Sequence, residues 1–269
     1  MPSEPLPDLR PVSEEQQREH LCQVGRWLYE RGHIVAGEGN LSVRLDANRI
    51  LTTPTCLNKG MMSPGDLVVI DLEGRHLQGE RKVSSEVGMH LLFYRMRPDV
   101  NGVCHAHPAT ATGFAVAGQG LDQALLPEVV VCLGKVPLVR YATPGTPDLS
   151  AALEPYVPHY DAMLLANHGA VTCGPDLLTA FYRMEIVEHF AKIALNARLA
   201  GEPQLLSTRE VAKLMAARSR YNVTPPPGGG AELPETSDTG ENTTEEITLT
   251  RSELDALVDE AVRKDRSRR

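Results

Sequence analysis

Near the start of the chain, apolar residues recur at helical spacing. Leu21, Val24 and Leu28 follow Ser13-Glu14-Glu15-Gln16, and Gly32 closes the run. Ser with Gln three residues on is a capping box, in which each side chain satisfies the other's backbone N–H, so a helix is predicted from about residue 13 to 31. The pattern then shortens to strand-like runs at 41–45, 49–53 and 67–71, with turn residues such as Ser63-Pro64-Gly65-Asp66 between them. Ser84 and Ser85 precede a helix predicted to reach Arg97, with Pro98 past its end. Valine-rich stretches predict strands at 101–107 and 129–132. Thr146-Pro147 opens a helix, with Thr as N-cap and Pro in the first turn. Further strands are expected at 163–167 and 170–173 around Gly169. A long amphipathic helix over 176–200 stops at Gly201, and a second capping box, Ser207 to Glu210, starts a short helix to about Arg218. Helices and strands interleave irregularly, which predicts one α/β domain over 13–224 with a mixed or antiparallel sheet.

Outside that span the pattern changes. Residues 1–12 are Pro-rich and read as an extended arm. Residues 225–249 open with PPPGGG, and 225–246 carry six acidic groups and no basic one, the composition of a disordered acidic linker. At 250–269, Thr250 to Glu253 again has capping-box form, and Leu254, Leu257, Val258, Ala261 and Val262 make a single apolar stripe. A helix that short is marginal alone, so it is expected to dock on another surface. An amphipathic helix behind a flexible linker resembles the encapsulation peptides that carry enzymes into bacterial microcompartments, which makes a shell protein one expected partner. Packing on its own oligomer or a frayed tail are the alternatives.

Composition bounds the functional classes. Hydrophobic residues make up 42 % of the 269 and aromatics only 4 %, so the core must be aliphatic. No apolar run is long enough for a membrane span, and residues 1–17 lack the basic start and apolar stretch of a signal peptide. The five cysteines (22, 56, 104, 132 and 173) are scattered and never form CxxC, which suits free thiols in a reducing cytoplasm. Of the net charge of −8, residues 225–269 hold −5. No basic patch stands out, which argues against nucleic acid as a partner.

Cys104-His105-Ala106-His107 carries the central chemical signal. In a strand, residues two apart share a face, so His105 and His107 would project together, as two ligands of one metal require, while Cys104 points into the core. Asn167-His168-Gly169 ends an apolar strand, and Gly169 permits a sharp turn that leaves His168 at the sheet edge. Three neutral imidazoles with an open position form the pattern of a catalytic zinc. Ser84-Ser85-Glu86 opens a helix, a place that suits an anion, and Glu86 in its first turn is positioned to face the metal. Gly37-Glu38-Gly39-Asn40 and Thr53-Pro54-Thr55-Cys56 are loops next to strands whose backbone N–H groups can approach an anion.

In order along the chain stand GEGNLSVR, LTTPT, SSE, CHAH, YATPGT and NHG. Together they resemble the class II aldolase/adducin family over residues 15–220. The resemblance implies a three-layer α/β/α fold around a mixed, largely antiparallel sheet, and a homotetramer with active sites between subunits. It implies Zn2+, or another divalent cation, on His105, His107 and His168, with Glu86 on or near the metal as the proton-transfer residue. The phosphate of a sugar substrate would sit on Asn40, Thr55, Cys56, Ser84 and Ser85. The implied reaction is cleavage of a ketose 1-phosphate, of the L-fuculose or L-rhamnulose type, to dihydroxyacetone phosphate and an aldehyde such as lactaldehyde. A pentulose-phosphate 4-epimerase, a thioribulose-phosphate dehydratase, a sugar-acid aldolase or a non-catalytic adducin-like scaffold are the alternatives. Two positions depart from the family: Cys56 stands where a glycine follows TPT, and Val131 falls near a tyrosine that serves the aldehyde end. Glu128, nearby, could be a substituted acid, with a surface carboxylate as its ordinary reading, and Tyr221 could reach a neighbouring site from the C-terminal part.

Overall fold

The computed structural model describes residues 13–221, 223–228 and 233–237. The chain divides into two units, Met1–Ser237 and Asp238–Arg269, and every described residue belongs to the first. The arm at 1–12 and the helix expected at 250–269 lie outside the described residues.

The first helix, α1 (Glu14–Glu30), carries the expected capping box between Ser13 and Gln16. It turns out at Gly32, whose φ of +70° an L side chain rarely adopts. β1 (Asn40–Arg44), β2 (Arg49–Thr52), β3 (Val68–Asp71) and β4 (His76–Gln78) follow as an antiparallel meander. Then come α2 (Val87–Met96), β5 (Gly102–Ala106), α3 (Ala109–Val116), α4 (Pro127–Cys132), β6 (Leu138–Val139) and α5 (Pro147–Leu153). β7 (Ala162–Leu165), β8 (Gly169–Gly174), α6 (Leu177–Ala200) and α7 (Thr208–Ala217) complete the body.

All eight strands form one sheet in the order β4-β3-β2-β1-β5-β8-β7-β6. Among the described strands of this sheet, only β6 and β7 pair in parallel. Strand alternation sorts the core into two halves. Leu41, Val43, Leu51, Val69, Cys104, Leu164 and Ala170 face α1, α3 and α6. Ile50, Val68, Ile70, Val103, Met163, Val171 and Cys173 face α2 and α5. The result is the three-layer α/β/α arrangement with a mixed, largely antiparallel sheet.

The structure departs from the sequence reading at 129–132, which is helix α4 rather than a strand. Pro127 presets the first turn, Val129 joins the main core, and Val130 meets Val211 of α7 in a small satellite core. Burial on two sides outweighs the weak strand preference of valine. Part of the expected linker is also attached to the body. Glu235 pairs with Gln123, Ser237 donates to the Leu206 carbonyl, and Gly228 donates to that of Pro158. These are backbone bonds, which composition does not encode.

Where α6 begins, its backbone presses on the strand that carries the histidines. A Cβ added at Gly102 would lie 2.5 Å from the Leu177 nitrogen and 2.6 Å from the Asp176 carbonyl. Backbone cannot rotate out of the way, so Gly102→Ala is expected to lower stability by about 1–3 kcal/mol, read as a shift in the urea midpoint. An unshifted midpoint would mean that β5 and α6 separate freely.

Candidate metal centre

Three imidazoles converge at one end of the central strands. His105 lies in β5 directly between Asn40 of β1 and Val171 of β8. His107 follows the end of β5, and its backbone N–H is held by the His33 carbonyl at 2.9 Å. His168 sits in the turn from β7 to β8, where Asn167 takes a left-handed φ of +55°. Ring centroids are 4.7 Å apart for His105 and His168, and 5.0 Å for each of the other two pairs. Their ligand-capable nitrogens all lie within 4.8 Å of one another.

The role expected of Gly169 is corrected. Its φ is not positive, and Asn167 makes the turn instead. The glycine is needed for space, since a Cβ there would lie 2.5 Å from His107 Cδ2 and 2.6 Å from the Ala106 carbonyl.

Hydrogen bonds fix which nitrogen of each ring faces the cluster. His105 Nδ1 lies 2.9 Å from the Ala170 carbonyl, which can only accept, so Nδ1 carries the proton and Nε2 is left as a lone pair. Glu38 Oε2 stands 3.4 Å from His107 Nδ1, a carboxylate–histidine pairing of the kind that orients metal ligands. His107 Nε2 and His105 Nε2 then face each other at 3.2 Å. Two lone pairs at that distance repel unless a cation lies between them. Burial pushes His105 down to about 3, and it also lowers His107, so both rings are neutral and able to ligate at neutral pH.

Glu86 is the N-cap of α2 and not part of its first turn, because the helix starts at Val87. Ser84 and Ser85 therefore lie in the turn before it, with Ser84 Oγ accepting from the Glu86 N–H at 3.3 Å. Glu86 Oε2 accepts from Asn40 Nδ2 at 2.9 Å. Its Oε1 approaches His168 Nε2 at 3.1 Å without the alignment of a hydrogen bond, so Oε1 and His168 Nδ1 are buried with no aligned partner. Burial would raise the Glu86 carboxyl, but the neighbouring His168 and His105 rings and the Asn40 amide together hold it well below the usual range. It is an ionised carboxylate at neutral pH. Neutral imidazoles, an anionic carboxylate and orphaned buried polar atoms at one point are what a divalent cation would satisfy.

The expected phosphate loops also meet. Pro54 pairs with Val83, and Thr55 donates to the Lys82 carbonyl at 3.0 Å, which brings 53–56 beside 82–85. Leu41 donates to Thr53 Oγ1 at 3.2 Å, which ties this loop to the strand end that holds Asn40. Ser84 is buried and Ser85 exposed. Cys56 takes a left-handed φ of +56°, the conformation that a glycine there would supply. Together with Ala36 and Asn167, Cys56 completes the set of non-glycine residues with positive φ among the described residues. Each of the three lies in a loop of this site.

Three residues here had no assigned role in the sequence reading. Glu38 lies inside a quoted motif. His90 stands one helical turn after Glu86. Lys59 gave no signal, yet it is fully buried, donates to the Gly37 carbonyl at 2.7 Å and is pushed down to about 8 by that burial.

The model of the class II aldolase and adducin N-terminal domain matches residues 19–195. A 3-oxo-tetronate 4-phosphate decarboxylase from Haemophilus influenzae is 40% identical over 182 residues, covering 66% of this chain and 86% of that protein. An L-fuculose phosphate aldolase from Methanococcus maripaludis is 33% identical over 173 residues, covering 64% and 93%. A solved L-fuculose 1-phosphate aldolase superposes with a TM-score of 0.72 at 32% identity, covering 78% of this chain and 99% of that one.

Replacing any one of His105, His107 or His168 by alanine should strip bound divalent metal in elemental analysis while far-ultraviolet dichroism stays native. Glu38→Gln should weaken metal affinity about 10–100-fold, as loss of a supporting carboxylate does. Acid should also destabilise the fold. Burial holds His90 down at about 4, below the roughly 6.5 of an unfolded histidine, so the unfolded chain binds the extra proton between those values. That contribution is present above about pH 6.5 and lost as pH falls to about 4, on the order of 3 kcal/mol from His90 alone. Urea midpoints that stay flat from pH 7 to 4.5 would refute this.

Proposed function

Because the chain belongs to the class II aldolase and adducin family, we propose that it is a divalent-metal-dependent lyase that decarboxylates a phosphorylated 3-oxo sugar acid. The observation that carries the choice of reaction is Val131. At the position near the family tyrosine stands a buried valine of α4, and the neighbouring Glu128 is exposed. Aldol cleavage must move the C4 hydroxyl proton to a base as the aldehyde leaves. Loss of carbon dioxide needs no such proton, because the departing carbon is already a carboxylate. The 40% identity to a decarboxylase of this kind supports the same reading.

The chemistry balances simply. In a 3-oxo acid with a C2 hydroxyl and a C4 phosphate, the C1–C2 bond breaks and carbon dioxide leaves. The electron pair stays on C2, shared with the C3 oxygen. One proton is then added at C2, and the product is dihydroxyacetone phosphate. A divalent cation on His105, His107 and His168, zinc being the first candidate, would supply Lewis-acid stabilisation of the negative charge on that oxygen. Glu86 delivers the proton to C2, having drawn it from water, and removes it again in the reverse direction. Asn40, Thr55, Cys56, Ser84 and Ser85 hold the phosphate, with the Lys59 ammonium nearby to favour an anion.

Aldol cleavage of a ketose 1-phosphate is the second reading, favoured by the likeness to L-fuculose phosphate aldolases. Both reactions leave the same electron pair and end on dihydroxyacetone phosphate, so the metal and Glu86 serve either one. The convergence of three histidines and a carboxylate speaks against a non-catalytic scaffold. A homotetramer, and a shell partner for residues 250–269, are proposals from sequence. Light scattering that gives any mass other than four subunits would remove the first. Diffuse fluorescence from a fusion of 225–269 in shell-forming cells would remove the second.

The purified metal-loaded enzyme, given a panel of 3-oxo sugar-acid phosphates, ketose 1-phosphates and pentulose phosphates, should release carbon dioxide from the first class fastest. Lactaldehyde as the main product would move the assignment to aldol cleavage. Glu86→Gln should keep bound metal and lose about 10²–10⁴-fold in turnover. Turnover within about twofold of wild type would take proton transfer away from Glu86.

A further inference from the structure

Behind Glu86 runs an unbroken line of buried hydrogen bonds. Asn40 Nδ2 reaches Glu86 Oε2 at 2.9 Å, and His90 Nε2 lies 2.5 Å from Asn40 Oδ1. His90 Nδ1 lies 2.7 Å from Ser42 Oγ, which in turn lies 2.8 Å from the Tyr94 hydroxyl. The arrangement follows from two periodicities. Asn40 and Ser42 are two apart in β1 and share the face that looks at α2. Glu86, His90 and Tyr94 are four apart along α2 and share the face that looks back. Asn40, Ser42, His90 and Tyr94 are all buried, so water cannot stand in for a missing partner.

The line has only one workable polarity. An ionised carboxylate accepts and never donates. The Asn40 NH2 must therefore face Glu86, which turns the Asn40 oxygen toward His90. His90 must then carry its proton on Nε2, leaving Nδ1 to accept from the Ser42 hydroxyl. Ser42 in turn accepts from Tyr94. If the His90 proton moved to Nδ1, the Asn40 amide would flip and set its oxygen against the Glu86 carboxylate, two acceptors face to face.

We propose that His90 is a positioning residue: its Nε2–H locks the Asn40 amide so that Glu86 is held by Oε2 and keeps Oε1 turned to the imidazole cluster. Ser42 and Tyr94 fix the tautomer from the far end. The proposal rests on Glu86 as the proton-transfer residue, and it concerns the orientation of that carboxylate rather than its reaction with substrate.

The test uses the metal-loaded enzyme and the exchange of a carbon-bound hydrogen of dihydroxyacetone phosphate with deuterium from D2O, a half-reaction common to both readings of the function. His90→Leu should slow exchange about 10–100-fold, with bound metal within twofold of wild type. His90→Gln, whose amide can still donate to Asn40, should recover part of the loss, and Tyr94→Phe should cost less than His90→Leu. In an Asn40→Ala background, adding His90→Leu should cost less than twofold, because the partner through which it acts is gone. An equal cost in both backgrounds would show a merely structural role and overturn the proposal, as would wild-type exchange by His90→Leu. Glu86→Gln in the same assay separates the two levels. Wild-type exchange by that variant removes the Glu86 reading itself, whereas a dead Glu86→Gln beside a normal His90→Leu removes only the positioning role. Should His90→Leu fold poorly, 15N NMR of histidine-labelled wild type decides. The expected His90 signal is a neutral ring protonated on Nε2, and protonation on Nδ1 would overturn the proposal.

Discussion

Everything at this site depends on the double pairing of β5. It is held by β1 on one side and β8 on the other, and that register sets Asn40, His105 and Val171 in one row across the sheet. Because side chains alternate, this choice sends Cys104 and Ala106 into the larger core and keeps His105 on the face toward α2. A slip of one residue would exchange the histidine with a cysteine and leave no metal pair. Gly102 and Gly169, at the two ends of this pairing, are small because backbone or ring atoms stand where a Cβ would be. The site is thus part of the sheet, and its geometry is as stiff as the hydrogen-bonded strands that carry it.

Electrostatics add a second layer of determination. Burial keeps His105 and His107 neutral, while Glu86 stays charged although it is only slightly exposed. A buried anion without a cation is costly, so the Asn40 amide is needed to hold it, and the protein spends further buried polar groups to hold Asn40. Lys59 provides the nearest buried positive charge in the same region and is itself pinned by a carbonyl of the Gly37 loop. None of these groups would tolerate the interior singly. Together they form one network whose members justify each other's burial.

The sequence made the short-range parts legible. A histidine pair at strand spacing, a third histidine before a glycine and a serine–serine–glutamate run pointed to the cluster that the fold assembles. What stayed hidden was tertiary. The helix at Pro127–Cys132 read as a strand, because its valines are buried from two directions that no local pattern reveals. Glu86 was placed just inside α2 instead of at its N-cap, since the turn before a helix looks like its start. His90 stood at the right spacing from Glu86, but its meaning required Ser42 and Asn40 from a strand about fifty residues earlier. Lys59 is legible only in three dimensions, as a charged side chain beneath a glycine loop. The proposed preference for a decarboxylase over an aldolase rests on Val131, whose burial only the fold discloses.

Ala36, Cys56 and Asn167 carry a trade-off between robustness and activity. Each holds an L side chain in the left-handed region, which costs about 1–2 kcal/mol relative to an unstrained backbone. Glycine at any of them would relieve that strain in the folded state, yet it would also enlarge the range of the unfolded and native loop. A chain selected for durability alone would have no reason to place its strained alanine, cysteine and asparagine around a single site. The distribution reads as selection for loops that hold one shape before substrate arrives, so that ordering them is charged to folding and not to each turnover.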